Sequence, residues 1–342
     1  MKKNRIILLW MILAPLVLFS CSKSSSTTLI GNWTQLTDYK GVGRSGSVCF
    51  TIADTAYIGL GYNPSNKVKY PTDFYKYDYK KNQWKEIAPF PLSSGRVNAV
   101  AFSVGNKGYV GTGYDGNDYL SDFYEYNSVT NSWRRIKDLD IVGRRGAVAF
   151  SIGNNGFVGT GYNGNYLSDF WKYTPGADSA SGSWTSVADI SFKRANAASF
   201  VINNLGYVVT GDDNGTYLSS FYRYDPASDT WTKLRNITNT DQTQTYDDNY
   251  NIIRSNAVGF AANNLGYITC GILSGSYETN TWEYDPTTDV WTQKTSFEGT
   301  SRSEAVGFSL GNRIFVGLGK NGGSSWSDFW EFKPTETYDA YN

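Results

Sequence analysis

A repeat of about 50 residues occurs six times between residues 44 and 332. Each copy begins with an arginine six positions before a phenylalanine, and a glycine follows about eleven residues later. An aromatic run such as Asp122-Phe123-Tyr124 comes next, and every copy but the last then reaches a lone tryptophan. The six arginines, here called the repeat arginines, are Arg44, Arg96, Arg144, Arg194, Arg254 and Arg302. Short aromatic and valine-rich runs at this period, separated by turn residues, predict a four-stranded sheet in every copy.

The four predicted strands of a copy, a to d, follow one another through short turns. The turns between strands a and b are rich in glycine and asparagine, as in Gly105-Asn106-Lys107-Gly108, which tight hairpins require. Each copy is therefore predicted to be an antiparallel meander. Six such sheets packed face to face leave two apolar faces in water unless they close into a ring. The predicted fold class is all-β, a six-bladed β-propeller.

The two ends of the chain predict how this ring closes. The sixth copy stops after strand c at Glu331-Phe332, whereas an additional strand d, residues 32–36, precedes the first copy. Trp33 lies eleven residues before Arg44, just as Trp133 lies eleven residues before Arg144. The N-terminal strand is therefore expected to complete the last blade, within a single domain at residues 30–342.

With these residues the chain resembles the kelch family of β-propellers, which includes the central domain of galactose oxidase. The shared features are the arginine before strand a, the glycine that closes strand b, the Tyr-Asp after strand c and the tryptophan of strand d. One departure is that the adjacent glycine pair of the family appears here as Gly-x-Gly, for example Gly111-Thr112-Gly113. The resemblance implies the fold, but this fold carries enzymes, receptors and scaffolds, so function must be argued from the site.

Residues 1–20 are predicted to be a secretory signal peptide. Three basic residues precede an apolar stretch, residues 6–19, that is too short to be a stop-transfer helix. The segment ends Leu18-Phe19-Ser20-Cys21, which resembles a bacterial lipobox and implies lipidation of Cys21; the alternative is an ordinary cleaved signal. Residues 21–29 would form a flexible tether. The expected location is the bacterial cell envelope, lipid-anchored on the periplasmic side of the outer membrane, because no acidic cluster follows Cys21.

Composition excludes several classes of function. Without the three N-terminal basic residues, 28 lysines and arginines stand against 31 acidic residues, a formal charge of −3, so neither nucleic acid nor an anionic membrane surface is an expected partner. Cys49 and Cys270 are predicted to be small core residues. The chain contains no histidine, which excludes Ser-His-Asp catalysis and the copper site of galactose oxidase. No metal and no cofactor is predicted.

The meander brings the b–c loops and the d–a loops to one face of the ring, here called the upper face. The repeat arginines end the d–a loops and admit two interpretations. They could surround the mouth of the central channel and bind carboxylates, sulfates or phosphates. Alternatively, each arginine caps carbonyl groups or pairs with an acid between blades, a role that suits a residue present in every copy.

Two residues beyond each repeat arginine, the copies diverge, as the lining of a channel would. The residues at this position are Gly46, Asn98, Gly146, Asn196, Asn256 and Glu304. The three asparagines are candidate ligand-binding residues. Glu304 is the best candidate for a proton-transfer group, with a salt bridge to a neighbouring arginine as the alternative; no other catalytic residue is assigned.

Aromatic residues in the b–c loops, among them Tyr119, Tyr166 and Tyr217, could stack on sugar rings or fold back over the blade edges. The connection between Trp231 and Arg254 is about twice as long as the other d–a connections and contains Tyr246 and Tyr250. A long loop on this face is a candidate binding element, although a disordered insertion is the alternative.

Three hypotheses follow. The favoured one is a monomeric binding module for a glycan or a small anionic molecule. The second is an enzyme that needs neither metal nor histidine, a sugar epimerase or mutarotase similar to the kelch-type sialic acid mutarotases, with Glu304 and an arginine at its site. The third is a platform for another envelope protein.

Overall fold

The computed structural model describes residues 29–139, 141–177, 181–240, 246 and 249–340. All regular elements in this part of the chain are β-strands, which form six four-stranded antiparallel sheets and three two-stranded ones. The predicted six-bladed propeller is thus confirmed. The predicted signal peptide, Cys21 and the tether up to residue 28 lie outside the described residues. The described segments contain no helix with the length and hydrophobicity that crossing a membrane requires.

Each blade consists of strands a to d in order from the central channel to the rim. The a strands are Val48–Ile52, Val100–Val104, Val148–Ile152, Ala198–Ile202, Val258–Ala262 and Val306–Leu310. The b strands are Thr55–Gly59, Lys107–Gly111, Asn155–Gly159, Leu205–Val209, Leu265–Thr269 and Arg313–Gly317. The c strands are Phe74–Asp78, Phe123–Asn127, Phe170–Thr174, Tyr222–Asp225, Thr281–Asp285 and Phe329–Thr337. The d strands of blades 1 to 5 are Gln83–Ile87, Ser132–Arg135, Ser183–Val187, Thr230–Lys233 and Val290–Lys294.

The b–c loops of blades 4 to 6 contain short hairpins of their own. The paired segments are Asp212–Asp213 with Thr216–Tyr217, Ile272–Leu273 with Ser276–Tyr277, and Lys320–Asn321 with Ser324–Ser325.

The outermost strand of blade 6 is Ile30–Gln35, from the N-terminal end of the described chain, and it pairs antiparallel with Phe329–Thr337. Trp33 lies opposite Phe332 in the register and stacks on it with a ring separation of 4.5 Å. Phe297 meets the same indole edge-on at 4.9 Å, and Trp33 is completely buried. The predicted closure of the ring by the N-terminal strand is therefore confirmed.

Aromatic residues of strand a fill the space between neighbouring blades. Phe50 stacks on Tyr57 within its own blade and meets Trp133 of the next blade edge-on. Gly108, in strand b of that next blade, lies against the Phe50 ring, which a Cβ atom at this position would overlap. The same pairing recurs as Gly156 with Phe102, Gly206 with Phe150, and Gly266 with Phe200. This contact explains why glycine precedes the aromatic residue of strand b in most copies.

Candidate functional site

The central channel opens on the upper face into a cavity of about 460 Å³. This cavity is here called the upper cavity. Its lining residues are Asn98, Arg145, Tyr162, Tyr166, Ala195, Asn196, Asn256, Glu304 and Lys320. Below it lies a smaller cavity of about 160 Å³, which is lined by the diverging residues and by the serine or alanine that directly precedes each a strand. The structure thus brings together the three predicted asparagines and Glu304, and it adds Arg145 and Lys320.

The diverging residues form a closed circle of backbone hydrogen bonds, here called the constriction ring. The backbone N–H of each residue donates to the carbonyl of the equivalent residue in the preceding blade, at 2.8–3.1 Å, and the bond from Gly46 to Glu304 closes the circle. All six residues have φ between +52° and +61°. Glycine and asparagine tolerate this left-handed conformation best, so the backbone itself explains five of the six residues.

Glu304 is the exception in the constriction ring, since it is neither glycine nor asparagine. A left-handed conformation costs such a residue about 1–2 kcal/mol. Its carboxylate accepts a hydrogen bond from Ser45 Oγ at 2.8 Å and pairs with Lys320 Nζ at 2.7 Å. Glu304 therefore forms a salt bridge, as the alternative interpretation predicted, but with a lysine and not with a neighbouring arginine. Backbone strain in a residue that faces a cavity is a feature of functional positions.

Arg145 lies on blade 3, across the ring from Glu304 on blade 6. Its guanidinium carbon lies 5.5, 5.8 and 6.0 Å from the ring centroids of Tyr114, Tyr119 and Tyr162, respectively. Within the described residues, no carboxylate forms an ion pair with this half-buried side chain. Arg145 is therefore a cation that faces the upper cavity and has its charge available for a ligand.

Asp212 organises the adjacent wall of the cavity. It accepts hydrogen bonds from Tyr166 Oη at 2.8 Å and from Asn196 Nδ2 at 3.0 Å. Burial, with the hydrogen bond and the charge of Asp212, raises the pKa of Tyr166 to about 12, so its phenol stays protonated at neutral pH. Because its NH2 group is held by Asp212, Asn196 keeps its amide oxygen as an acceptor for a ligand hydroxyl.

The repeat arginines do not surround the channel mouth, which corrects the first interpretation above. All six are at most 1% exposed. Each donates Nη1 to the carbonyl sixteen residues later, at 2.9–3.3 Å. In blades 1, 2, 3 and 6 the guanidinium also pairs with an aspartate just before strand c, at 2.5–2.7 Å. The repeat arginines thus hold loops together within their own blades, and they present no charge to the channel.

Blades 4 and 5 lack this aspartate. Arg194 donates to the side chain and the carbonyl of Ser220 instead, and Arg254 donates to the side chain and the carbonyl of Asn280. Burial lowers the pKa of both arginines to about 10. Among the described residues, the two cations are therefore buried without a direct carboxylate partner, at a cost to stability.

Three predicted tyrosines have structural roles. Tyr250, from the long loop, is buried in the core between blades 4 and 5, and its hydroxyl accepts a hydrogen bond from the backbone of Trp291. Tyr246 packs edge-on against it at 5.3 Å. Tyr217 accepts a hydrogen bond from the backbone N–H of Ser274, in the neighbouring b–c loop. Among the described residues, the long loop thus contributes to the core rather than to the upper cavity.

The two cysteines differ from each other. Cys270 is buried, as predicted, whereas Cys49 is half-buried and lines the lower part of the channel. The prediction that Cys49 is a core residue is confirmed in part, because its side chain packs against the core cluster between blades 1 and 6 and also lines the channel.

Arg145 and Lys320 were not predicted from the sequence, because the residue type at their positions is not repeated from copy to copy. The sequence does distinguish them, because the residue type differs between the six copies at two further equivalent positions. The residues that follow the repeat arginines are Ser45, Val97, Arg145, Ala195, Ser255 and Ser303. The residues that follow the glycine after strand b are Tyr62, Tyr114, Tyr162, Asp212, Ile272 and Lys320. In the structure these two sets pair blade by blade in isolated bridges, directly above the constriction ring.

Comparison with known proteins gives a family and a structural relative. The family model of the KLHDC2/KLHL20/DRC7 Kelch-repeats domain matches residues 46–245. A solved structure titled "Structure of YjhT" superposes with a TM-score of 0.71 at 17% sequence identity, over 86% of this chain and 95% of that chain. At this identity the likeness supports the fold alone. No curated protein sequence matches the chain significantly.

Proposed function

This chain belongs to the kelch-repeat family, and from that premise we propose that it binds an anionic carbohydrate, or a small polar anion of similar size, in the upper cavity. The observation that carries this proposal is Arg145, a half-buried cation in the cavity wall with no ion pair among the described residues. A guanidinium forms two parallel hydrogen bonds with a carboxylate or a sulfate, so an acidic group of the ligand is expected here.

The rest of the upper cavity suits a sugar. Its volume of about 460 Å³ falls within the range of small-molecule sites, about 300–1,000 Å³. Tyr162 and Tyr166 offer ring faces, and the amides of Asn98, Asn196 and Asn256 offer donors and acceptors for hydroxyl groups. On the opposite side, Lys320 and Glu304 neutralise each other and leave Arg145 as the net charge of the lining.

We further propose that the propeller is attached to the bacterial envelope by a lipid on Cys21. Only the sequence supports this location, through the basic and apolar N-terminal residues and the lipobox-like segment that ends at Cys21. Metabolic labelling of the full chain with a radioactive fatty acid is expected to label it, and Cys21→Ala is expected to abolish the label.

Replacement of Arg145 by alanine tests the binding proposal. Residues 29–342 are titrated calorimetrically with glucuronic, galacturonic and N-acetylneuraminic acids and with neutral glucose. We expect an acidic sugar to bind, and Arg145→Ala to weaken it about 10- to 100-fold, because a hydrogen bond to a charged group contributes about 1.5–3 kcal/mol. The melting temperature should stay within a few degrees of the wild-type value.

The neighbouring residue provides a matched control. Arg144 has the same charge but is buried and paired with Asp169, so Arg144→Ala should lower the melting temperature strongly. An Arg145→Ala protein that binds the acidic sugar as tightly as wild type would rule out the assigned site. If none of the sugars binds, the interaction-platform hypothesis becomes the better account.

A second candidate function is epimerisation or mutarotation of the bound sugar. The observation in its favour is Glu304, the one carboxylate among the lining residues described for the upper cavity, which is retained there despite its backbone strain. If the protein is an enzyme, Glu304→Gln should reduce anomeric exchange at least about 100-fold while the acidic sugar still binds at least as tightly, because the substitution leaves the charge of Lys320 unneutralised. Saturation-transfer NMR measures the exchange. A wild-type rate equal to that of buffer would exclude this function.

A further inference from the structure

Six tyrosines form a continuous arc on the upper face of blades 1 to 3. They are Tyr62, Tyr70, Tyr114, Tyr119, Tyr162 and Tyr166, here called the tyrosine arc. Successive ring centroids lie 4.9 Å apart for the first pair and 5.4, 5.9 and 5.0 Å apart from Tyr114 to Tyr166. Gly116 joins the two parts: its carbonyl accepts a hydrogen bond from Tyr114 Oη, and a Cβ atom at this position would lie 2.9 Å from the Tyr70 ring.

The fold does not require this arc. Blades 4 to 6 have Asp212, Ile272 and Lys320 where blades 1 to 3 have the first tyrosine of each pair. Their loop tyrosines also differ in role, because Tyr217 and Tyr277 accept backbone hydrogen bonds from the next loop. By contrast, in the described part of the chain, four hydroxyls of the arc have no hydrogen-bond partner. They belong to Tyr62, Tyr70, Tyr119 and Tyr162.

The arc leads into the candidate site. Its last two members, Tyr162 and Tyr166, line the upper cavity, and Arg145 lies over the rings of Tyr114, Tyr119 and Tyr162. All six rings are half-buried, so each one is held in place and still presents surface to solvent. Such rings stack on the apolar face of a pyranose, while their hydroxyls bond to its hydroxyl groups.

We propose that the tyrosine arc is an extended carbohydrate-binding surface and that the ligand is an acidic oligosaccharide whose terminal sugar occupies the upper cavity. This inference rests on the proposed function, since the acidic terminal sugar is the group that Arg145 binds. The units that follow lie along the arc toward blade 1. A monosaccharide fills the cavity alone, whereas a chain gains a ring contact with each additional unit.

The test compares chain lengths on residues 29–342. Galacturonic, glucuronic and N-acetylneuraminic acids are titrated alongside their short linear homo-oligomers. We expect one oligomer series to bind at least about tenfold more tightly than its monosaccharide, a gain of about 1.4 kcal/mol. Tyr70→Ala, in the distal pair of the arc, should remove the part of this gain that the longest oligomers add and leave the affinity for the monosaccharide unchanged.

Tyr217→Ala is the matched control, because Tyr217 occupies the equivalent loop of blade 4 and lies outside the arc. It should leave the dependence on chain length intact, and melting temperatures verify that both variants are folded. A monosaccharide that binds as tightly as its oligomers, or a Tyr70→Ala protein that keeps the full gain of the longest oligomers, would overturn the extended surface but not the cavity site. Failure of every monosaccharide and oligomer to bind would overturn both.

Discussion

Deletion of residues 30–37 is expected to destabilise the entire propeller, not only its last blade. The deletion removes the whole pairing between Ile30–Gln35 and Phe329–Thr337, the first and the last strands of the described chain. It also removes Trp33, completely buried between Phe297 and Phe332, and truncation of such a residue alone costs about 3–5 kcal/mol. Since a domain is stable by only about 5–15 kcal/mol, we expect a large fall in the urea midpoint and in the melting temperature.

Two further proteins separate ring closure from the simple loss of a strand. In the first, residues 30–37 are moved behind strand c of blade 6 and joined to it by a copy of the turn at residues 225–230, which makes blade 6 continuous. This permuted protein should recover most of the lost stability. In the second, Trp184→Ala changes the equivalent, half-buried tryptophan of blade 3 and should cost less than Trp33→Ala. A deletion protein with an unchanged melting temperature would contradict the closure.

The fold was predictable because six copies repeat the same packing requirements. Four of the six copies place a glycine against the aromatic residue of the preceding blade, as Gly108 lies against Phe50, and every blade has an indole in strand d. The indole nitrogens of Trp133, Trp184 and Trp231 each donate to the d–a segment before their own blade, at 2.8–3.0 Å. Requirements that recur in every blade produce a sequence repeat, and a sequence repeat is readable without coordinates.

The site was predictable only in part, because divergence between the copies has two different causes. At the constriction ring, the left-handed backbone selects glycine and asparagine for conformational reasons, so divergence there reports the backbone as well as the channel. Arg144 and Arg145 illustrate the converse difficulty. Both are arginines at the end of the same loop, yet one is buried with Asp169 and the other faces the cavity. The sequence pattern points to the repeated residue, whereas the charge available to a ligand belongs to its neighbour.

The repeat arginines of blades 4 and 5 also differ from those of the other blades, because no aspartate pairs with them in the described structure. Burial lowers the pKa of Arg194 to about 10, which means that the native state disfavours its charged form relative to an arginine in water. The other blades avoid this cost with an aspartate, and the equivalent residue of blade 4 is Ser220. A single substitution that supplies this carboxylate should therefore increase the stability of the protein.

Ser220→Asp is therefore expected to raise the free energy of unfolding by about 1–3 kcal/mol at pH 7, because it gives Arg194 the partner that Arg96 has in Asp122. The reverse change, Asp122→Asn, should lower it by about 3 kcal/mol or more, since it leaves Arg96 buried without an anion. Urea unfolding at pH 7 measures both effects. If Ser220→Asp destabilises the protein while Asp122→Asn is neutral, the arginines do not depend on their carboxylates.

The pH dependence of these effects follows from the sign of the carboxyl shift. Burial acts to raise the pKa of Asp122, but the hydrogen bonds and the charge of Arg96 outweigh it and hold the pKa below the ordinary value of 3.8. The pair therefore contributes its full stability above that value and loses it as the pH falls through the lower, folded-state pKa. The difference between wild type and Asp122→Asn should accordingly shrink in acid below about pH 4, and the gain from Ser220→Asp should shrink over the same range. A difference that persists unchanged in strong acid would assign the effect to packing instead of charge.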